Sequence, residues 1–169
     1  MPPPLALAFS PPTSEPEPAL PPPRGVAALG SLLEALLAQA LQETGFPVAA
    51  LNLVLHGLQA SAARGELAGD ASFERTQRAY AFCRCVGVAG GPLWVQDTLE
   101  QAGLPEALTQ RHGVRAYAGV PLWVHGTLAG TLAVVDAEPR ALREPERRAL
   151  EALALTGARR LEMLAASQR

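Results

Sequence analysis

The chain has 169 residues, a formal net charge of −2 and a hydrophobic fraction of 49%, which suits a globular protein with a real core. All fourteen basic residues are arginine, so chemistry that needs a lysine, such as a Schiff base or a phosphate-loop lysine, is excluded. The charge offers no general attraction to nucleic acid or an anionic membrane, and no apolar run approaches the ~18 residues of a membrane span.

Residues 1–24 hold ten of the sixteen prolines. Such a segment donates too few backbone hydrogen bonds for helix or sheet, and it reads as a disordered tail in extended, polyproline-like states. The functional alternative is a docking segment for an aromatic groove. The short Leu5–Phe9 apolar run has no basic region before it, so a secretory signal is not expected. Residues 25–169 are left as a single domain.

Leu29, Leu32, Leu33, Leu36, Leu37, Ala40 and Leu41 recur at helical spacing and predict a helix over 26–44, stopped by Gly45 and Pro47. The stripe is too broad for one sheet, and the expectation is that one side packs on this domain and the other on a helix of a second copy. Alternation predicts a strand over 48–55, with Asn52 on the face opposite Leu51 and Leu53. His56-Gly57 turns the chain into a second strand over 58–64. A helix is expected from about Ser72 to Phe82, with Arg75 and Arg78 on a solvated face.

Cys83 and Cys85 stand one residue apart, which disfavours a disulfide between them. Reduced thiols in a cytoplasmic protein are the expectation. Pro92–Val95 reads as a short strand. Asp97-Thr-Leu-Glu100 has the pattern of a capping box opening a short helix that ends near Gly103. Three isolated histidines and one Cys-x-Cys supply no metal site of the usual spacing.

Ala116–Val124 and Leu128–Val135 read as a hairpin around His125-Gly126. Pro121 needs an edge or a bulge, and Gly130 marks a bulge or a close backbone neighbour. The last helix spans 144–166, with Pro145 in its first turn and Glu144 and Glu146 complementing the dipole. Arg143 stands where a serine or threonine would cap, so this start is expected to fray. Gly157 leaves room for a close helix. The chain ends soon after Leu164, and no output domain is expected within it.

Tyr117-Ala-Gly-Val-Pro-Leu122, Gly126, Gly130-Thr-Leu132 and Pro139-Arg140 before an acidic helix closely resemble the C-terminal half of a GAF domain. Phe82-Cys83 and Pro92-Leu-Trp-Val-Gln-Asp97 fit the preceding portion of that family. The likeness implies an α+β domain with an antiparallel sheet of five or six strands in the order 2-1-5-4-3, the terminal helices on one face and short connections on the other. It also implies a pocket lined from Asn52, Phe82, Cys83, Trp94 and Tyr117, which a packed core would equally contain.

On that resemblance the expected role is a non-catalytic sensing or regulatory module. It would form a homodimer through its terminal helices, act in trans on a signalling partner, and bind no nucleic acid and no membrane. No cofactor is predicted; a small-molecule ligand of unknown identity is left open. One alternative is a free methionine-(R)-sulfoxide reductase-like enzyme using Cys83 or Cys85, although residues 86–115 lack the later cysteine of those enzymes. Another is a GAF-fold adaptor without a ligand. Bilin attachment would need a Cys-His pair where this chain has Cys83-Arg84 and Cys85-Val86, and the cyclic-nucleotide signature of the family includes a lysine.

Overall fold

The computed structural model describes residues 26–55, 58–65, 86, 89–104 and 114–167. The elements are helix α1 (Val26–Thr44), strands β1 (Val48–Leu55), β2 (Leu58–Gly65), β3 (Leu93–Val95), β4 (Ala116–Val124) and β5 (Thr127–Asp136), and helix α2 (Glu144–Ala166). The strands form one antiparallel five-stranded sheet in the order β2-β1-β5-β4-β3. The expected tail over 1–24, the Ser72–Phe82 helix and the His56-Gly57 turn lie outside the described residues.

The β4–β5 hairpin shows how local chemistry sets the register. His125 and Gly126 both have positive φ, at 50° and 75°. That is the signature of a type I′ turn, whose twist matches the flanking strands. Pairing then passes from Val124↔Thr127 and Trp123↔Leu128 to Leu122↔Gly130, which leaves Ala129 as the extra residue of a bulge. At Gly130 a Cβ would run into the backbone carbonyl oxygen of Asn52 and come within 2.9 Å of Leu53 Cδ2. Glycine therefore lets β5 lie against β1. Pro121 falls beyond Gly119, the last β4 residue paired with β3, so its missing N–H breaks no ladder on that side.

Alternation along the strands divides the sheet into two faces. Ala49, Leu51 and Leu53 of β1, Ala118, Val120 and Leu122 of β4, and Leu132 and Val134 of β5 pack with α1 and α2 in the larger core. Here the expectation drawn from the α1 stripe is corrected. Leu32, Leu33, Leu36 and Leu37 are all buried within this one chain, because α1 packs on both the sheet and α2. Gly157 serves the same contact: a Cβ there would meet Leu36 Cδ1 at 2.8 Å and Leu122 Cδ2 at 3.3 Å. The close helix expected at Gly157 is α1 of the same chain, with β4 beside it.

Both helix ends near the β5 exit are tied down. α1 stops at Gly45 (φ 69°), whose N–H donates to the Leu41 carbonyl at 2.9 Å. Arg140 then donates to the carbonyls of Thr44 (3.0 Å) and Gly45 (3.1 Å), with its guanidinium 4.2 Å from the centre of the Phe46 ring. α2 lacks a capping side chain, as Arg143 can only donate, yet Glu146 reaches back to accept from the Arg143 backbone N–H at 2.8 Å and from its guanidinium at 2.9 Å. The fraying expected of this start is offset by that reciprocal pair. No helix among the described residues is long and apolar enough to cross a membrane.

Candidate functional site

The face of the sheet opposite the helices is the candidate site. Its centre is a cross-strand row of minimal side chains, Gly119 of β4, Ala133 of β5 and Ala50 of β1, paired in that order. On one side lies a row in which Pro121, Thr131 and Asn52 are paired successively. On the other side are Tyr117, Val135 and Val48. A sheet face built for packing alone would be expected to carry branched side chains along its middle. Here the bulk is at the margins, and the hydrogen-bonding groups lie beside a buried row of minimal side chains.

Tyr117 crosses between these rows. Its side chain lies along its own strand over Gly119: a Cβ at that glycine would collide with the phenolic hydroxyl and sit 2.8 Å from the ring. The ring is therefore seated where only glycine admits it, with the hydroxyl directed over the small-residue row. Tyr117, Asn52 and Thr131 are all buried, at 2%, 8% and 1% exposure. Val86, Val95 and Val114 join Val48, Ala50, Tyr117, Ala133 and Val135 in a second apolar cluster on this face.

One edge of the site is braced by an ion pair between the segment after β3 and the residue that precedes β4. Arg115 donates from Nε and Nη2 to the two carboxylate oxygens of Asp97 at 2.9 and 2.8 Å, a bidentate fork. The Arg115 hydrogen bonds hold the Asp97 carboxyl below the usual carboxylate range, against a smaller opposing effect of burial. Thr98 adds a backbone bond to the Arg115 carbonyl at 2.7 Å and a hydroxyl bond to the Val114 carbonyl at 2.6 Å.

This corrects the expectation of a capping box at Asp97. Residues 98–100 make a single turn, not a helix. Asp97 does accept from the Leu99 N–H at 3.1 Å, but its carboxylate is committed to Arg115, eighteen positions away. A local D-x-x-E pattern carries no information about so distant a partner.

Of the five residues expected to line one pocket, Asn52 and Tyr117 share the candidate face. Trp94 does not join them. It pairs with Ala118 and packs against the helix-side core, with the Arg147 guanidinium 5.3 Å from its ring centre. Phe82 and Cys83 lie outside the described residues, as does Cys85. Gly119, Thr131, Ala133 and Ala50 were not foreseen as site residues. Alternation could have assigned each to a face, but only the strand order places Thr131 beside Asn52. Among the described residues no three His, Cys, Asp or Glu side chains converge to hold a metal ion.

A family model described as GAF domain matches residues 28–161. The search of curated proteins finds no match. Among solved structures, the chain resembles the blue-light-absorbing form of the PixJ GAF domain from Thermosynechococcus elongatus, with a TM-score of 0.64 and 23% identity over 85% of this chain and 90% of that one. A domain assigned to a two-component sensor histidine kinase protein from Sinorhizobium meliloti 1021 matches with a TM-score of 0.64 and 16% identity, over 83% and 94% of the two chains. The type II free methionine-R-sulfoxide reductase from Thermoplasma acidophilum matches at 0.63 and 12% identity, over 83% and 96%. At these identities the likeness is one of fold.

Proposed function

The chain belongs to the GAF-domain family, whose model spans residues 28–161, and on that premise we propose that it is a non-catalytic regulatory module that senses a small molecule in signal transduction. The observation that carries this reading is the sheet face opposite the helices. A buried row of Gly119, Ala133 and Ala50 lies between the Asn52–Thr131 row and Tyr117, apolar groups with a few polar ones beside them, the composition that small-molecule sites use. The sensor proteins among its structural relatives lend the reading support.

The module acts in the cytoplasm as a homodimer through the outer faces of α1 and α2, and passes its state to a signalling partner in trans. Leu155 and Met163 of α2 are exposed, at 55% and 71%, and Ala28, Ser31 and Ala35 give α1 an exposed side of small residues. The competing enzyme reading is a thiol-dependent free methionine-(R)-sulfoxide reductase-like protein, supported by the likeness of fold to a free methionine-R-sulfoxide reductase. Turnover that survives substitution of both Cys83 and Cys85 excludes it.

Native mass spectrometry of the purified chain, compared with its denatured mass, tests the sensing reading. Extra mass lost on denaturation identifies a bound small molecule, and Ala133→Leu is expected to abolish that mass. Because Ala133 is buried in the second apolar cluster, the substitution is also expected to cost about 1–3 kcal/mol of stability, so a thermal melt of the variant confirms that it is folded under the conditions of the measurement. A bare native chain that also binds nothing from a metabolite extract would instead favour an adaptor.

A further inference from the structure

Charge along the outer face of α2 follows a pattern centred on Leu155, an exposed apolar residue. Going outward from it, two acidic groups each have a basic group equally far along the opposite arm. Glu151 and Arg159 lie four positions before and after Leu155, and Arg148 and Glu162 lie seven before and after. At about 100° of rotation per residue, the first two point about 40° to either side of Leu155 and the second two about 20°, so all five share one face. Arg148, Glu151 and Arg159 are exposed there, and Glu162 is half-buried.

Such a face is complementary to itself when a second copy is turned end for end. In an antiparallel pair of α2 helices whose two-fold axis passes Leu155, positions equally far before and after that residue come opposite each other. Glu151 then meets the partner's Arg159 and Arg148 meets the partner's Glu162, and the symmetry repeats both pairs. Leu155 meets the partner's Leu155, and the small side chains of Ala152 and Ala158, three positions to either side, leave room for it. A parallel pair would instead set each residue against its own copy. Glu151 would face the partner's Glu151 and Arg159 the partner's Arg159, and like charges would also meet at the other two levels, which is unfavourable.

The chain leaves these charges available to a partner. Among the described residues, Glu151 and Arg159 have no ion-pair partner. Arg148 shares an exposed contact with Glu144 at 3.2 Å, and Glu162 gives one oxygen, Oε1, to the His125 N–H at 3.2 Å. Glu151 also stands with Leu155 and Trp123 in the wall of a recess of about 310 Å³. Among the described residues lining that recess Glu151 carries the only charge, so the recess disfavours an acidic occupant and suits a guanidinium.

We propose that α2 meets α2 of a second copy in antiparallel orientation about Leu155, with Glu151 paired to the partner's Arg159 and Arg148 to the partner's Glu162. This contact rests on the homodimer proposed above and gives it a direction.

The test is the dimer Kd of the full-length chain, measured by sedimentation at low ionic strength. Glu151→Arg and Arg159→Glu are each expected to raise it about tenfold, since each turns two attractive pairs into repulsive ones, and the exchange Glu151→Arg/Arg159→Glu is expected to return it to within about threefold of the native value. Both side chains are exposed, so neither variant threatens the fold. In a parallel pair the native chain, the single variants and the exchange would all oppose like charges at these positions, and the Kd would not move. A dimer whose Kd ignores the single variants, or that the exchange fails to restore, would overturn the antiparallel contact and leave the homodimer reading in place. A strict monomer at high concentration would overturn both.

Discussion

At the scale of single residues, two glycines decide what the sheet can be. Gly130 faces the backbone of Asn52, which cannot rotate away, whereas Gly119 faces the ring of Tyr117, which can. Gly130→Ala is therefore expected to destabilise the chain by about 3 kcal/mol and Gly119→Ala by about 1–2 kcal/mol, with Tyr117 displaced in the second case. Urea unfolding measures both, and equal losses would contradict the distinction between backbone and side-chain neighbours. The carboxylates give a second residue-level expectation. The Arg115 pair lowers the Asp97 pKa; at Glu146 burial opposes the charge, but the Arg143 backbone and guanidinium bonds outweigh it, and that pKa is lowered as well. Each group stabilises the fold above its unfolded value, ~3.9 for Asp and ~4.3 for Glu, and that contribution is lost as pH falls through the depressed folded value. Thermal melts should thus show no loss from these groups between pH 7 and about 5 and a decline below about 4. Asp97→Asn/Glu146→Gln should start from a lower Tm at pH 7 and decline less steeply in acid.

At the scale of elements, the joints matter more than the interiors. Arg140 binds the last two carbonyls of the α1 end, contacts Asp136 at 3.4 Å and covers the Phe46 ring, so one side chain couples α1, β1 and the β5 exit. Arg140→Ala is expected to cost about 2 kcal/mol in chemical denaturation, from two lost charge-assisted bonds and the ring contact. Arg140→Lys should recover less than half of that, because one ammonium cannot reproduce the fork. Full recovery by lysine would mean that charge alone matters at this joint. α2 illustrates the same point from the other end: the helix begins with no capping acceptor at Arg143, and the Glu146 carboxylate supplies the reciprocal bond from inside the first turn.

At the scale of the whole molecule, the homodimer proposed through α1 and α2 is the property most open to measurement. Sedimentation velocity on the full chain should show a concentration-dependent dimer that Leu155→Glu/Met163→Glu returns to monomer; a strict monomer at high concentration would sink it. The five described strands in their chain positions, the helix limits of α1 and α2, the His125-Gly126 turn and the Gly130 bulge were legible in the sequence alone, since each rests on local periodicity, φ preference or steric need; the short helix expected after Asp97 was not, as a D-x-x-E pattern also fits a single turn. The strand order was legible only through resemblance to a family, as no local pattern states which strands are neighbours. What the tertiary structure alone decided is where distant residues meet. It turned the broad α1 stripe inward on both sides, sent the Asp97 carboxylate to Arg115 and put Trp94 on the face away from Asn52 and Tyr117. It also aligned Gly119, Ala133 and Ala50 in one row. Local chemistry determines what each segment becomes, but a side chain's partner depends on the pairing of strands far apart in the chain, and that pairing is set by burial of the whole core at once.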